Sequence, residues 1–425
     1  MKFETKAIRI QTERSQHREH GTPIFPTSSF VFNDAEQMRS LFAGEETGNI
    51  YSRFTNPSVR EFELKIAALE EVDDAFATST GMAAVFAVFM TFLKKGDHVL
   101  ASKALFGSTY NLLNNRLSNW GIKFDFIDPQ TPKEWEEKVQ SNTKMLFIET
   151  PSNPGLEIID LEKAGQFSKN HQLIFCVDNC FATPYLQQPT KYGSDIIVHS
   201  ATKFMDGQGR VMGGAIAGSQ DLVDEVRSFC RSTGPALSPF NAWVLSKSLE
   251  TLAVRMDRHC ENAISLAKFL ESHPEVLKVN YPFLESHPSY QVAIKQMSQG
   301  GGLVTFEVKG GLKQGIEFLN AMEMLSLSAN LGDTRTIATH PASTTHSQLS
   351  EDDQIRSGVT PGYVRLSIGI EHVGDIIKDI EQRDGDFPAI QTKLNNNYFN
   401  VINYESKYSL LTYDNIEIFE DFVKE

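Results

Sequence analysis

Three short stretches place residues that could do chemistry where an apolar run ends or begins. The run DIIVH is followed by Ser200, Thr202 and Lys203, the run LIFCV by Asp178, and residues 78–82 (TSTGM) precede an apolar helical stretch. Hydroxyls and the free N–H groups of a helix start can bind a phosphate, and a lysine amine can form an imine with an aldehyde. Each feature alone also has an ordinary alternative: a helix N-cap, a turn-forming aspartate and a surface lysine.

In combination, these residues match the parts of a site for pyridoxal phosphate. In such a site the lysine binds the aldehyde carbon, the carboxylate keeps the ring nitrogen protonated, and hydroxyls and amides hold the phosphate. The protonated ring then withdraws electrons from a carbanion at the substrate Cα. Nucleotide cofactors are disfavoured, because the sequence has no G-x-G-x-x-G or G-x-x-x-x-G-K-[ST] motif and the glycines of 207–214 (GQGRVMGG) have the wrong spacing.

Short apolar runs are predicted to be the strands that position these residues. Their apolar character is continuous rather than alternating, as in strands buried on both faces. Helix-like segments such as 160–171 separate them, so the sequence predicts an α/β fold with a mostly parallel sheet. Ligands bind beyond the carboxyl ends of the strands in such sheets. The predicted strands are 97–101, 123–127, 144–149, 173–178, 195–199 and 214–217.

The composition of the 425-residue chain excludes several classes of function. Apolar residues make up 40% and charged residues 22%, and the net charge is −14. This charge disfavours nucleic acids and anionic membranes as partners. The most apolar stretch, 81–93, is too short to cross a bilayer, and the N-terminus lacks the features of a signal peptide. Four scattered cysteines suit neither a disulfide framework nor a zinc site, so we expect a cytoplasmic protein without a metal.

Changes in sequence character divide the chain into four parts. The first is polar and proline-containing and is predicted to be an extended arm. The second holds the predicted strands, and the third combines a long helical pattern at 241–270 with further strands at 303–308 and 364–368, typical of a smaller α+β domain. The fourth has eight acidic, three basic and eight aromatic residues, so we expect it to pack against its own or a neighbouring subunit. The parts are 1–60, 61–250, 251–383 and 384–425.

Seven motifs follow one another along the chain from the arm to the third part. They are YSRFTNPS (51–58), STGMAA (79–84), ETPSNP (149–154), VDNCFATP (177–184), HSATK (199–203), HPASTTH (340–346) and VRLSIGIE (364–371). In type and order they resemble the motifs of the Cys/Met-metabolism family of pyridoxal-phosphate enzymes. The resemblance implies an aminotransferase-like, fold type I architecture with a seven-stranded sheet. It also implies a homotetramer built from two active-site dimers.

The resemblance assigns the cofactor-binding residues by motif. Lys203 would form the imine, Asp178 would pair with the ring nitrogen, and Phe106 would stack over the ring. Tyr51 and Arg53 would reach the phosphate of the neighbouring subunit, and Tyr51 is also a candidate for assisting amine activation or departure of the leaving group. The remaining phosphate ligands would be the backbone amides of Gly81 and Met82 and the hydroxyls of Ser200 and Thr202.

Substrate residues follow from the same resemblance. Arg365 would bind the α-carboxylate of an amino-acid substrate, where bidentate geometry favours arginine over lysine. Asn153 would lie near that carboxylate and the cofactor, and Asn330 is also assigned to the substrate. Arg210 is a candidate for binding a succinyl carboxylate, with a structural role as the alternative.

Departures from the family pattern indicate which branch the chain resembles. Phe106 stands where many members have tyrosine, so the ring can stack but lacks the hydroxyl that some lyases use as an acid. Ser108 replaces the cysteine of the methionine γ-lyases. The run ANLGDTRT (329–336), followed by HPASTTH, resembles the homoserine sulfhydrylases, and the runs FGST, DNCF and DGQGRVMGG together most resemble the O-succinylhomoserine branch.

The implied reaction is γ-replacement on an O-acylhomoserine, with O-succinyl favoured over O-acetyl. Lys203 would take the Cα proton, the acyloxy group would leave Cγ, and sulfide would replace it to give homocysteine for methionine synthesis. Cystathionine γ-synthase, which uses cysteine, is the nearest alternative, and methionine γ-lyase is less favoured. An inactive protein of this fold is disfavoured, because the lysine and the phosphate-binding residues are all present.

Overall fold

The computed structural model describes residues 1–345, 347, 354 and 358–381. These residues contain fourteen α-helices and twelve strands, and the strands form one large and one small sheet. The prediction that the acidic, aromatic-rich segment 384–425 packs against the protein lies outside the described residues. No helix among the described residues is long and apolar enough to cross a membrane.

The large sheet has seven strands in the order β1-β7-β6-β5-β4-β2-β3. The strands β3, β2, β4, β5 and β6 run parallel to their neighbours, and β7 pairs antiparallel with both β6 and β1. The mostly parallel sheet that the sequence predicted is confirmed. The strands are β1 (Asp74–Thr78), β2 (His98–Ser102), β3 (Lys123–Ile127), β4 (Thr143–Glu149), β5 (Ile174–Asp178), β6 (Ile196–His199) and β7 (Gly214–Gly218).

All six predicted strands of this sheet are present, with ends within one residue of the prediction. Strand β1 was not predicted, because its sequence DAFAT is short and rich in alanine and gives little apolar signal. It pairs with β7 along its whole length, and all five of its residues are buried.

Helices cover both faces of the large sheet, which explains its continuous apolar strands. Along β7, Ala215 and Ala217 contribute to the core on one face and Ile216 to the core on the other. The helices are α1 (Phe3–Arg9), α2 (Ala35–Ala43), α3 (Pro57–Glu70), α4 (Gly81–Phe92), α5 (Gly107–Leu112), α6 (Pro132–Lys138), α7 (Leu161–His171), α8 (Thr183–Leu186), α9 (Gln220–Thr233), α10 (Pro239–Leu249), α11 (Leu252–Glu271), α12 (Tyr290–Gln296), α13 (Gly311–Asn320) and α14 (Val373–Ile380).

The single long helix predicted over 241–270 is wrong in one respect, because the structure divides it into α10 and α11. The break falls at Thr251, whose N–H bonds to the Ser248 carbonyl three residues back rather than four. The Arg255 guanidinium then donates to the same Ser248 carbonyl at 2.9 Å. This tertiary contact is invisible in the helical periodicity, which continues across the break.

The small sheet has five strands in the order β10-β11-β12-β9-β8 and packs against α11, α13 and α14. Its central strand β12 carries Arg365, paired with Thr339 of β11 on one side and Thr305 of β9 on the other. The strands are β8 (Val276–Asn280), β9 (Leu303–Val308), β10 (Ser326–Leu327), β11 (Ile337–Thr339) and β12 (Tyr363–Ser367).

The N-terminal segment is less extended than its sequence predicts, because it contains α1 and α2. Ala7 of α1 is buried against the large domain, and the Lys6 ammonium pairs with the Glu71 carboxylate at 2.8 Å. In contrast, α2 buries none of its residues in the single chain. The boundaries at residues 60, 250 and 383 stay predictions.

We predict that replacing Leu146 by alanine lowers the free energy of unfolding by about 2–5 kcal/mol, since it deletes buried methyl groups from the middle of β4. Leu146 is completely buried on the face of the sheet that α7 covers, in the same hydrophobic cluster as Leu100. Leu312→Ala is the matched control, because Leu312 is 46% exposed and should change stability by less than about 0.5 kcal/mol. Urea unfolding of both variants measures the difference, and equal losses would contradict the prediction.

Candidate active site

The carboxyl ends of three neighbouring strands bring the acidic and basic site residues to one edge of the large sheet. Glu149, the last residue of β4, lies opposite Asp178, the last residue of β5, and Asp178 lies opposite Val198 of β6. The turn that carries Lys203 follows β6 directly. The predicted meeting of Asp178 and Lys203 at this edge therefore follows from the register of the parallel strands.

The start of α4 forms a seat suited to an anion. The Thr80 hydroxyl accepts the Ala83 N–H at 3.0 Å, which leaves the N–H groups of Gly81 and Met82 without an acceptor inside the helix. Ser200 lies against Gly81 so closely that a Cβ at position 81 would stand 2.6 Å from the Ser200 Cβ and 2.8 Å from its Cα. Only glycine allows this approach, which puts a hydroxyl beside two free N–H groups.

Thr202 is engaged more tightly than the sequence suggests. Its hydroxyl accepts the Gly213 N–H at 3.1 Å and lies 3.3 Å from the Gly213 carbonyl, to which it donates. To bind a phosphate, this hydroxyl has to turn its proton away from that carbonyl and toward the anion.

Lys203 is a largely buried amine held by one side chain. Its Nζ donates to the Asn330 Oδ1 at 2.6 Å, and its backbone N–H and carbonyl bond to Ser200 and Gly207 in the turn after β6. Burial lowers the pKa of Lys203, and the positive charge of Arg365 lowers it further. The neutral, nucleophilic form of the amine is therefore more accessible near neutral pH than that of a surface lysine.

Asp178 is a carboxylate in a poor environment for its charge. Its Oδ1 accepts the Cys180 N–H at 3.1 Å, and burial raises its pKa to about 6, against the opposing influence of His199. A cationic group placed against Asp178 would favour the ionised form of the carboxyl group, which is the role that the protonated ring nitrogen of a pyridine can fill.

Arg365 is a buried cation with no acidic partner among the described residues. Its Nη1 donates to the Asn153 Oδ1 at 2.9 Å, its Nη2 lies 3.2 Å from the carbonyls of Ala329 and Asn330, and its Nε has no hydrogen-bond partner in the described part of the chain. Burial lowers its pKa to about 10. A buried, incompletely bonded guanidinium of this kind is suited to an anionic ligand.

Asn330 connects the two cations. Its side chain accepts from Lys203 and its backbone carbonyl accepts from Arg365, while Asn153 holds the other end of that guanidinium. The structure thus brings together Lys203, Asn330, Arg365 and Asn153. Two cations joined through one asparagine suit an α-amino acid, whose amine and carboxylate are only two bonds apart along the backbone.

Phe106 caps the N-terminus of α5 and is held through its backbone. Its N–H donates to the Glu149 Oε2 at 2.6 Å, and its side chain is 42% exposed and forms no ring contact with another aromatic side chain of the described residues. Glu149 lies in the ETPSNP motif, but the sequence predicted no role for this residue. The available signal was an acidic residue at the end of a buried strand, as for Asp178.

Tyr51 and Arg53 stand apart from this cluster within the single chain. Tyr51 is 40% exposed, and the Arg53 guanidinium donates to the Arg231 carbonyl and lies 4.7 Å from the centre of the Phe54 ring. Neither forms a hydrogen bond with the site residues described above. This placement leaves open the predicted contact of both residues with a neighbouring subunit.

Arg210 is bound by a neighbouring acid. Its Nε and Nη2 donate to the Oδ1 of the fully buried Asp206 at 3.1 and 2.9 Å. Of the two roles considered from the sequence, these contacts favour the structural one.

Proteins of known family resemble this chain along most of its length. Residues 4–383 match the model of the family described as Cys/Met metabolism PLP-dependent enzymes. An O-succinylhomoserine sulfhydrylase of Pseudomonas aeruginosa is 44% identical over 378 residues, 89% of this chain and 94% of that protein. An L-methionine gamma-lyase of Fusobacterium nucleatum subsp. nucleatum is also 44% identical, over 381 residues, 89% of this chain and 96% of that protein.

A solved structure extends the comparison to the fold. It is described as an O-acetylhomoserine (thiol)-lyase of Campylobacter jejuni subsp. jejuni and carries N'-pyridoxyl-lysine-5'-monophosphate. It superposes with a TM-score of 0.86 at 34% identity and covers 90% of this chain and 99% of that one. The predicted fold type I architecture is confirmed by this match.

The residues of this chain fit pyridoxal phosphate on structural grounds. The close approach of Gly81 and Ser200 leaves two N–H groups and a hydroxyl for a phosphate, Asp178 is available to a ring nitrogen, and the Lys203 amine lies at the same sheet edge. The chain belongs to the Cys/Met metabolism family of PLP-dependent enzymes, and pyridoxal phosphate is its cofactor.

Proposed function

We propose that this chain is an O-acylhomoserine sulfhydrylase, with O-succinylhomoserine as the favoured substrate and homocysteine, for methionine synthesis, as the product. The C–O bond at Cγ breaks, the acid leaves as a carboxylate, and hydrosulfide forms the new C–S bond. The observation that carries the proposal is the arrangement of Arg365 and Lys203 around Asn330, because it fits a substrate with an α-carboxylate and an adjacent amine.

The cofactor supplies an electron sink for the bond electrons released at the substrate Cα. Arg365 binds the α-carboxylate through its incompletely bonded guanidinium, and Asn153 keeps the guanidinium in place. Lys203 takes the proton from the substrate Cα and then moves a proton at Cβ. The Asn330 Oδ1 accepts a hydrogen bond from the Lys203 Nζ, and this nitrogen can alternate between Asn330 and the substrate.

The choice between replacement and elimination depends on residues outside this shared machinery. The relatives at 44% identity include both a sulfhydrylase and a methionine γ-lyase, so identity does not separate the two reactions. Phe106 has no hydroxyl to act as an acid, and Ser108 stands at the position where the methionine γ-lyases carry a cysteine. Both residues favour the sulfhydrylase. Cystathionine γ-synthase differs only in taking cysteine as the sulfur donor and is the second candidate.

We further propose that the active unit is a dimer within a homotetramer and that the enzyme acts in the cytoplasm. Tyr51 and Arg53 then belong to the site of the neighbouring subunit, where both reach the phosphate and Tyr51 also assists amine activation or departure of the leaving group. The exposure of Tyr51 and the lack of hydrogen bonds from either residue to the Lys203 cluster support this arrangement. All four cysteines are buried and unpaired, as suits a reducing compartment.

The substrate assignment predicts that the purified holoenzyme converts O-succinylhomoserine and sulfide to homocysteine faster than it converts the O-acetyl ester. Mass spectrometry of four mixtures tests this prediction, with either ester combined with either sulfide or cysteine, and methionine alone serves as a fifth sample. Cystathionine as the only product would favour the second candidate. A 2-oxo acid and a thiol from methionine alone would identify a γ-lyase. Lys203→Ala controls for turnover by contaminants.

The carboxylate assignment predicts that Arg365→Ala raises KM for the amino-acid substrate about 100-fold, while Arg365→Lys, which keeps the charge but loses the fork, raises it about tenfold. The effect on kcat should be smaller in both variants, because the charge is present before and during the chemical steps. Arg258→Ala removes an arginine on the surface of α11 and should leave both constants unchanged. An unchanged KM in Arg365→Ala would remove this residue from the substrate site.

The shared-site assignment predicts that two inactive variants restore activity when their subunits are mixed. Lys203→Ala and Arg53→Ala change residues of different chains in one site, so a mixed dimer has one intact site and an equal mixture should recover about a quarter of the wild-type activity. Lys203→Ala mixed with Arg365→Ala is the matched control, with all mixtures assayed at a substrate concentration far below the KM of Arg365→Ala, where that variant has little activity. Those two residues serve the same site from one chain, and no mixed dimer then has an intact site. Equal recovery in both mixtures, or in neither, would contradict the assignment.

A further inference from the structure

Glu149 is a buried carboxylate at the centre of the site that the reaction described above does not use. It ends β4 opposite Asp178, its exposed fraction is 4%, and it forms no salt bridge with a basic side chain of the described residues. Burial and the negative charge of Asp178 raise its pKa well above the usual range of a glutamate. An acid in this position costs stability unless its two oxygens are well bonded.

Each oxygen of Glu149 accepts a hydrogen bond from a different loop. The Oε2 accepts the Phe106 N–H at 2.6 Å and the Oε1 accepts the Asn153 N–H at 3.1 Å. These bonds lower the pKa of Glu149 and offset part of the cost of its burial. One carboxylate therefore holds together the loop after β2, whose Phe106 lies 43 residues before Glu149 in sequence, and the loop after β4, whose Asn153 lies four residues after it.

The two loops carry different parts of the site. Phe106 is the residue expected to stack over the cofactor ring, and its N–H bond to Glu149 helps to hold its backbone at the start of α5, where its carbonyl accepts the first helical N–H groups. Asn153 donates its N–H to Glu149 and accepts from Arg365 with its side chain. A displacement of Glu149 would therefore move both the Phe106 ring and, through Asn153, the Arg365 guanidinium.

We propose that Glu149 is a positioning residue that sets the stacking of Phe106 on the cofactor ring and the orientation of Arg365 through Asn153. It touches neither the cofactor nor the substrate and acts through the two backbone N–H groups. The Arg365 half of this proposal rests on the proposed function, because it takes that arginine as the carboxylate site. The Phe106 half rests on the cofactor alone.

Glu149→Gln is the most direct test, because glutamine has the same shape but only one accepting oxygen. Its amide N–H₂ has to face one of the two backbone N–H groups, and that loop loses its anchor. We expect weaker retention of pyridoxal phosphate, by about tenfold, together with an altered visible circular dichroism of the bound cofactor, when the Phe106 loop is released. We expect a similar weakening of the binding of an unreactive amino acid when the Asn153 loop is released.

Double-mutant cycles distinguish positioning from a general loss of structure. If Glu149 acts through Phe106, the effect of Glu149→Gln on cofactor affinity should shrink in a Phe106→Ala background. If it acts through Asn153, its effect on amino-acid binding should shrink in an Asn153→Ala background. Additive effects in both cycles would overturn the proposal.

Glu63→Gln is the matched control for loss of a buried carboxylate. Glu63 is also buried and accepts a backbone N–H, that of Ala77 at 2.9 Å, but it lies on α3 outside the site. It should lower the free energy of unfolding and leave both binding constants and the dichroism unchanged. If Glu149→Gln loses stability in the same way with unchanged binding and dichroism, its role is structural only and the proposal fails.

Glu149→Asp keeps the charge but is too short to serve both loops, so it provides the same comparison if the glutamine variant does not fold. We expect it to weaken at least one of the two binding constants, and unchanged constants would again overturn the proposal. These measurements do not depend on turnover of any ester. Failure of the sulfhydrylase assay would therefore leave them interpretable, and failure here would leave the sulfhydrylase assignment intact.

Discussion

The parallel register of β4, β5 and β6 is the constraint on which the site depends. Because these strands end side by side, Glu149, Asp178 and the turn with Lys203 reach the same edge. The remaining contributions arrive at this edge from elsewhere: the start of α4 brings two free N–H groups, and the small sheet brings Arg365. A change in register by one residue would turn Asp178 toward the opposite face and separate it from Glu149.

The site holds charged groups that have no oppositely charged side chain beside them. Glu149 and Arg365 are buried and Asp178 and Lys203 are partly buried in the same region, yet no carboxylate pairs with either cation among the described residues. Burial shifts the pKa of all four toward their neutral forms. The cofactor and the substrate carry the complementary charges, namely a cationic ring nitrogen and an anionic carboxylate. The folded chain thus holds charges whose partners are ligands, and ligand binding should stabilise it.

The sequence predicts the large sheet well because its strands are buried on both faces and leave continuous apolar runs. It does not predict β1, whose burial comes from pairing with β7, or the break before Thr251, which a tertiary contact of Arg255 stabilises. In the site, the motifs predict roles for Lys203, Asp178 and Arg365. They do not show that Asn330 joins Lys203 to Arg365, because that contact links residues up to 127 positions apart and depends on the packing of the two sheets. Nor do they show that Glu149 joins two loops, because that contact depends on the adjacency of β2 and β4 in the large sheet. A motif shows which side chain is present at a position, but the residues that bond to this side chain can be far away in sequence.

The mode of attachment of Phe106 bears on how sulfhydrylases and lyases can share this site. Glu149 bonds to the backbone N–H of residue 106, so the bond does not depend on which side chain that residue carries. A phenylalanine and a tyrosine at this position can therefore have the same backbone attachment, and the substitution then changes only whether a hydroxyl is present. Cofactor binding and carboxylate binding use groups that every amino-acid substrate of such an enzyme presents. Selection between replacement and elimination can then be made at residue 106 and its neighbours without moving the atoms that carry the common steps.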